Sequence, residues 1–83
     1  MYKARDLAIW LIKEKHVVEM PKVMMLLYYF QGAHLAIFDT PLFEDEIQAH
    51  GIGPVVPNIL DLFDKDIDIS EIATDHIEES IID

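Results

Sequence analysis

From Ala4 to Lys15 the apolar residues Ala4, Leu7, Ala8 and Leu11 return at helical spacing, with Trp10 and Ile12 widening the stripe. The pattern predicts a first amphipathic helix. His16 to Met20 is a β-branched break, and Pro21 suits the first turn of a second helix, where its missing N–H would have no intrahelical partner anyway. This second helix should run to Phe38. Its residues are apolar nearly all round, the pattern of a central helix packed on several sides. Gly32 inside it costs about 1 kcal/mol relative to Ala, which predicts a close helix or backbone contact there and makes a larger residue harmful.

Asp39-Thr40-Pro41 is a stop and turn, because Pro disfavours helical geometry in the residue before it. Leu42 to His50 has no clean helical or strand period and predicts a short extended segment or one turn of helix. Gly51-Ile52-Gly53-Pro54 predicts a tight loop, after which Pro54 or Pro57 opens a third helix through Phe63 with Ile59, Leu60 and Phe63 on one face. Asp64 to Asp68 forms an acidic connection. Asp68 and Glu71 have the spacing of a capping box for a last helix ending near Ile82, with Ile69, Ile72, Ala73, Ile77 and Ile81 on its apolar side. The fold class that follows is mainly α: one domain over residues 1–83, a small bundle of four helices with a short extended segment and a Gly-Pro loop.

A chain of 83 residues makes one small domain, and domains of this size bury only about 60% of the surface their unfolded chains expose. With 52% apolar residues, some apolar surface is expected to form an interface, and binding there would stabilise the fold by mass action. There is no cysteine, hence no disulfide framework, thiol nucleophile or cysteine zinc site. The N-terminus lacks a small-residue cleavage signature, and the apolar run from Val23 to Phe38, interrupted by Gln31, Gly32 and His34, falls short of the roughly 20 residues that cross a bilayer. A cytoplasmic chain is expected.

The net charge of −10 is unevenly placed. Residues 1–22 hold five basic groups against three acids, and residues 23–83 hold Lys65 against 13 acids, or −12. Such a field repels nucleic acid and membrane phosphates and speeds encounter with a basic partner. The candidate acidic interaction surface is Asp61, Asp64, Asp66, Asp68 and Glu71; the alternative is a solvated face that keeps the chain soluble.

Catalytic chemistry finds little support. His16, His34, His50 and His76 have no partner histidine at ligand spacing, and His76 with Glu79 is an (i, i+3) pair of the kind that acidic helices carry by chance. Glu44, Asp45 and Glu46 would serve acid–base chemistry only if one were buried and shifted, and no nucleophile or phosphate-cradling loop accompanies them. Ser70 and Ser80 lack a nucleophile elbow, and Gly51-Ile52-Gly53 is too short a motif to claim a nucleotide. The expected catalytic, cofactor and metal sets are empty, and the chain is read as a non-enzyme.

Stronger words run through its middle: Leu26-Leu27-Tyr28-Tyr29-Phe30-Gln31-Gly32, then Pro41-Leu42-Phe43, Glu46-Ile47-Gln48-Ala49-His50 and Gly53-Pro54-Val55-Val56-Pro57. In this order they resemble the Panacea domain of SocA-like antitoxins and phage-associated proteins, from Met20 to Phe63. His34 and His50 stand where family members often carry an aromatic, and the usual C-terminal portion has no counterpart after Asp83, so a short or truncated member is expected. The resemblance implies an antitoxin that neutralises a toxin by direct contact, within a bacterial or phage-infected cell; some members instead deliver the toxin to a protease. An acidic mimic of nucleic acid, occupying the basic groove of a host nuclease, is the alternative that the charge keeps open, and a homo-oligomer is possible.

The signature residues are Leu27, Tyr28, Tyr29, Gln31, Gly32, Pro41, Leu42, Phe43, Glu46, Ile47, Gly53, Pro54 and Val55. Tyr28 and Tyr29 lie about 100° apart on a helix, so both rings pack, or one faces the core while the other reaches a different surface or a partner. Gln31 must satisfy a buried amide, with the backbone of the Gly53-Pro54 loop as the expected partner. On this reading the signature is architectural, and the toxin-contacting surface lies elsewhere.

Overall fold

The computed structural model describes residues 1–63 and Ile77. Within them lie helix α1 (Ala4–Glu14), helix α2 (Met20–Phe38), an antiparallel hairpin of β1 (Gln48–His50) and β2 (Gly53–Val55), and a 3₁₀ helix over Pro57–Phe63. The domain is mainly helical, with three helices and a small two-stranded sheet among the described residues. The rest of the expected fourth helix lies outside them; Ile77, the one described residue of that span, is buried in the core and is not helical.

Both long helices form where the periodicity puts them. Ala4, Leu7, Ala8 and Leu11 are buried as the stripe requires, and Ile9 and Trp10 join them. The helix ends through His16, whose left-handed φ of 59° turns the chain so that the Val17 N–H donates to the Leu11 carbonyl at 3.1 Å. Lys15 closes the same turn and sets its ammonium 5.2 Å from the Trp10 ring centre. In α2, Pro21 occupies the first turn, and Asp39 ends the helix with φ 60°, its N–H donating to Leu35 O at 3.0 Å.

The central helix is α1, which corrects the expectation for α2. Six of the eleven α1 residues are buried, because α2 packs on one side and the 3₁₀ helix on another. In α2 only Val23, Met24 and Leu27 are buried, on the side that meets β2 and α1. An all-apolar helix satisfies the composition of a central helix, but burial depends on how many neighbours arrive.

Gly32 requires a second correction. A Cβ built there meets nothing within 4 Å, and its φ is not in the left-handed region. No close approach explains this glycine. The Leu42–His50 segment takes the extended alternative: Tyr2 bridges to Phe43 in parallel, with the Tyr2 N–H donating to Leu42 O at 2.9 Å, and β1 follows.

The Gly-Pro region is half loop and half strand. Gly51-Ile52 makes the turn, while Gly53 and Pro54 pair with His50 and Ala49. Gly53 has φ 124°, a conformation open chiefly to glycine. The third helix therefore opens at Pro57, and because a 3₁₀ helix repeats every three residues it buries Ile59 and Leu62 and leaves Leu60 44% exposed. Val56 before it is buried and donates its N–H to Met24 Sδ at 3.3 Å.

Candidate functional site

The signature residues divide into an inward set and an outward set. Leu27, Leu42, Phe43 and Val55 are buried, and Gln31, Pro41, Gly53 and Pro54 are half-buried. Gln31 joins α2 to the segment after Pro41: its Nε2 donates to Phe43 O at 2.8 Å, and its Oε1 accepts from the N–H groups of Leu42 at 2.7 Å and Phe43 at 3.2 Å. A single amide side chain thus behaves like a paired strand on the side of Leu42 and Phe43 away from their bridge to Tyr2. Its partner is this Leu42-Phe43 backbone, not the Gly53-Pro54 loop that the sequence led one to expect.

One turn further on, His34 Nδ1 lies 2.6 Å from the Thr40 carbonyl, and its ring centre is 4.7 Å from that of Phe38 with the planes tilted by 45°. This fixes the corner that brings Pro41 back toward α2.

The outward set is exposed on α2 beside and opposite the stripe of Val23, Met24 and Leu27. Tyr28 and Tyr29 are 52% and 60% exposed, with ring centres 6.0 Å apart, so neither ring enters the core. Met25, Leu35, Ile37 and Phe38 are exposed on the same helix. Tyr28, Tyr29, Gly32, Ala33 and Leu35, with Gln31 and Ile47, line an open groove of about 620 Å³. Glu46, beside Ile47, is exposed and accepts a hydrogen bond from Gln48 Nε2 at 3.2 Å. His50 Nε2 lies 3.1 Å from Gln48 Oε1 on the exposed strand.

Among the acids, Asp45 has a structural task. The N–H of Ala4, the first residue of α1, donates to Asp45 Oδ1 at 2.9 Å, and Asn58 Nδ2 donates to Oδ2 at 2.9 Å. Lys3 at the N-cap makes no side-chain capping bond, so a carboxylate 41 residues away takes that place. Burial alone would raise the Asp45 carboxyl, but these donors, with Lys3 nearby, together hold it below the usual range. Both Asp45 oxygens are thus engaged in holding the start of α1 and Asn58.

Asp61 pairs with Arg5 at 2.8 Å on the surface; the hydrogen bond from the guanidinium lowers the carboxyl, and the same bond raises Arg5. Asp64, Asp66, Asp68 and Glu71 lie outside the described residues, as do the His76–Glu79 pair and both serines. Among the described residues no group of three or more His, Cys, Asp or Glu is arranged to hold a metal, and no helix is long and apolar enough to cross a membrane.

The family described as antitoxin SocA-like, Panacea domain, matches residues 23–83. The chain belongs to this family. The match starts inside α2 and takes in every signature word from Leu27 to Pro57, so the Gln31 clamp and the outer face of α2 both fall within the Panacea domain, while α1 precedes it. No curated protein and no solved structure matches the chain.

Sequence reasoning missed the role of Asp45 and the exposure of the α2 face. A helix start without Ser, Thr, Asp or Asn at its N-cap was the available sign that a cap must come from elsewhere. For the exposed face, the sign was an apolar content too high for 83 residues to hide.

Proposed function

We propose that this Panacea-domain chain is an antitoxin that neutralises a partner protein by direct contact. Family membership points to an antitoxin role, and the observation that carries the direct-contact mechanism is the uncovered apolar face of α2. Tyr28, Tyr29 and Leu35, at 52%, 60% and 43% exposure, present roughly 300 Å² of accessible surface, counting each large side chain at the usual 150–250 Å². An apolar patch of this size is about that of the largest on an ordinary monomer, and such patches are often functional. No catalytic step is assigned.

The experiment is co-expression with the protein encoded beside this chain, reading growth and complex formation together. Rescue of growth accompanied by a stable complex in high salt is the expected result. Rescue that needs a host protease, with loss of the partner protein, would replace direct neutralisation by delivery.

The charge supports a second reading. Residues 23–83 carry −12, and a nucleic-acid mimic would bind its target through that charge. Contacts of this kind are screened beyond about 10 Å at 0.1 M salt, so a complex with a nuclease that dissolves between low and high salt would favour mimicry.

A further inference from the structure

We infer that the groove on the outer face of α2, floored by Gly32 and walled by Tyr28, Tyr29, Leu35 and Ile47, is the docking site for an apolar segment of a basic partner protein. This inference rests on the direct-contact reading above and names the surface that carries it. The floor is open, since nothing approaches within 4 Å of a Cβ placed on Gly32, and Ala33 beside it is also small and exposed. The walls are two aromatic rings and two aliphatic side chains, and aromatic residues supply large contact area for little conformational entropy.

The shape and chemistry of the groove select the occupant. From Val23 to Phe38 there is no charged residue, so the segment entering the groove must itself be uncharged and apolar. A charged group buried there would find no counter-ion. The rim is different: Glu46 stands next to Ile47, and Asp39 ends the helix, both exposed. An apolar ridge flanked by Lys or Arg fits this arrangement.

Charge also decides between a second copy and a different partner. Two copies of a chain with net charge −10 repel one another, and an isologous contact would bring the two Glu46 rims toward each other. A basic partner meets no such penalty. The groove walls expose roughly 300 Å², the apolar centre of an interface whose standard size is ~800 Å² per partner, so the charged rim must supply much of the remaining contact.

On this assignment Gly32 is kept for the partner's sake. In an exposed helix interior Leu would be the better helix former, but its side chain would fill the groove. The Gly32→Leu variant should fold at least as well as the native chain and bind poorly.

The test uses the full chain and the protein encoded beside it, with affinities measured by calorimetry in low and high salt. Native chain, Gly32→Leu, Tyr29→Ala and, as a control at the hairpin tip, Ile52→Ser are compared, each checked for its melting temperature. The expected result is a salt-tolerant complex that Gly32→Leu and Tyr29→Ala each weaken about thirtyfold or more, the scale of a central interface residue, with Ile52→Ser unchanged. Binding by the native chain that both variants leave intact overturns the groove while the antitoxin reading stands. Absence of binding by the native chain overturns both. A dimer of the chain alone that Gly32→Leu abolishes, in sedimentation, gives the groove to a second copy and overturns the heterologous assignment.

Discussion

Gln31 and Phe43 exchange two hydrogen bonds: the side-chain amide of one donates to the backbone carbonyl of the other at 2.8 Å and accepts from its N–H at 3.2 Å. Twelve residues apart, they tie α2 to the segment that brings Leu42 and Phe43 into the core. Gln31→Ala would leave the Leu42 N–H and both backbone groups of Phe43 without this partner in a part-buried setting. The expected loss is about 1–3 kcal/mol of unfolding free energy, measured by urea denaturation. A change of only a few tenths would show that water replaces the amide freely.

Asp45 caps α1 from across the fold, so Asp45→Ala should cost about 1 kcal/mol near neutral pH, the usual worth of an N-cap side chain. Because the folded-state carboxyl is held below its ordinary value, its contribution is present above the unfolded carboxylate pKa of about 4 and is lost as pH falls through the depressed value. The stability difference between native chain and Asp45→Ala should therefore shrink in acid. A difference that stays constant from neutral to strongly acidic pH would mean the cap does not depend on charge.

Asp39 combines a left-handed φ of 60° with a negative charge at a helix C-terminus that has no basic residue in its last turn. Both are unfavourable, the first through Cβ sterics and the second through the helix dipole. Asp39→Gly removes both and should raise stability by about 1 kcal/mol, visible as a higher denaturation midpoint with an unchanged slope. A lower midpoint would refute this account of the helix end.

Gly32→Leu separates the two accounts of that glycine by stability alone. A close contact would make the variant unfold, whereas open space at the missing Cβ predicts a gain of up to about 1 kcal/mol from helix propensity. The melting temperature of the variant decides between them.

Local order was legible along the chain. The stripe of Ala4, Leu7, Ala8 and Leu11, Pro21 at the start of α2 and Asp39 at its end gave both helices to within a residue or two, because helix periodicity, capping and proline sterics act over a few neighbouring positions. The same local words, taken in order, were enough to identify the family, and an apolar content beyond what 83 residues can bury announced exposed apolar surface without locating it.

The tertiary structure decided everything that depends on residues meeting across the fold. It made α1 the central helix and left most of α2 uncovered, since burial counts neighbours and not apolarity. It gave Gln31 the Leu42-Phe43 backbone, placed Asp45 over the start of α1 and turned Tyr28 and Tyr29 outward. Such pairings carry no periodic signal, because the distance along the chain between the partners is set by loops whose geometry is fixed only when the core closes.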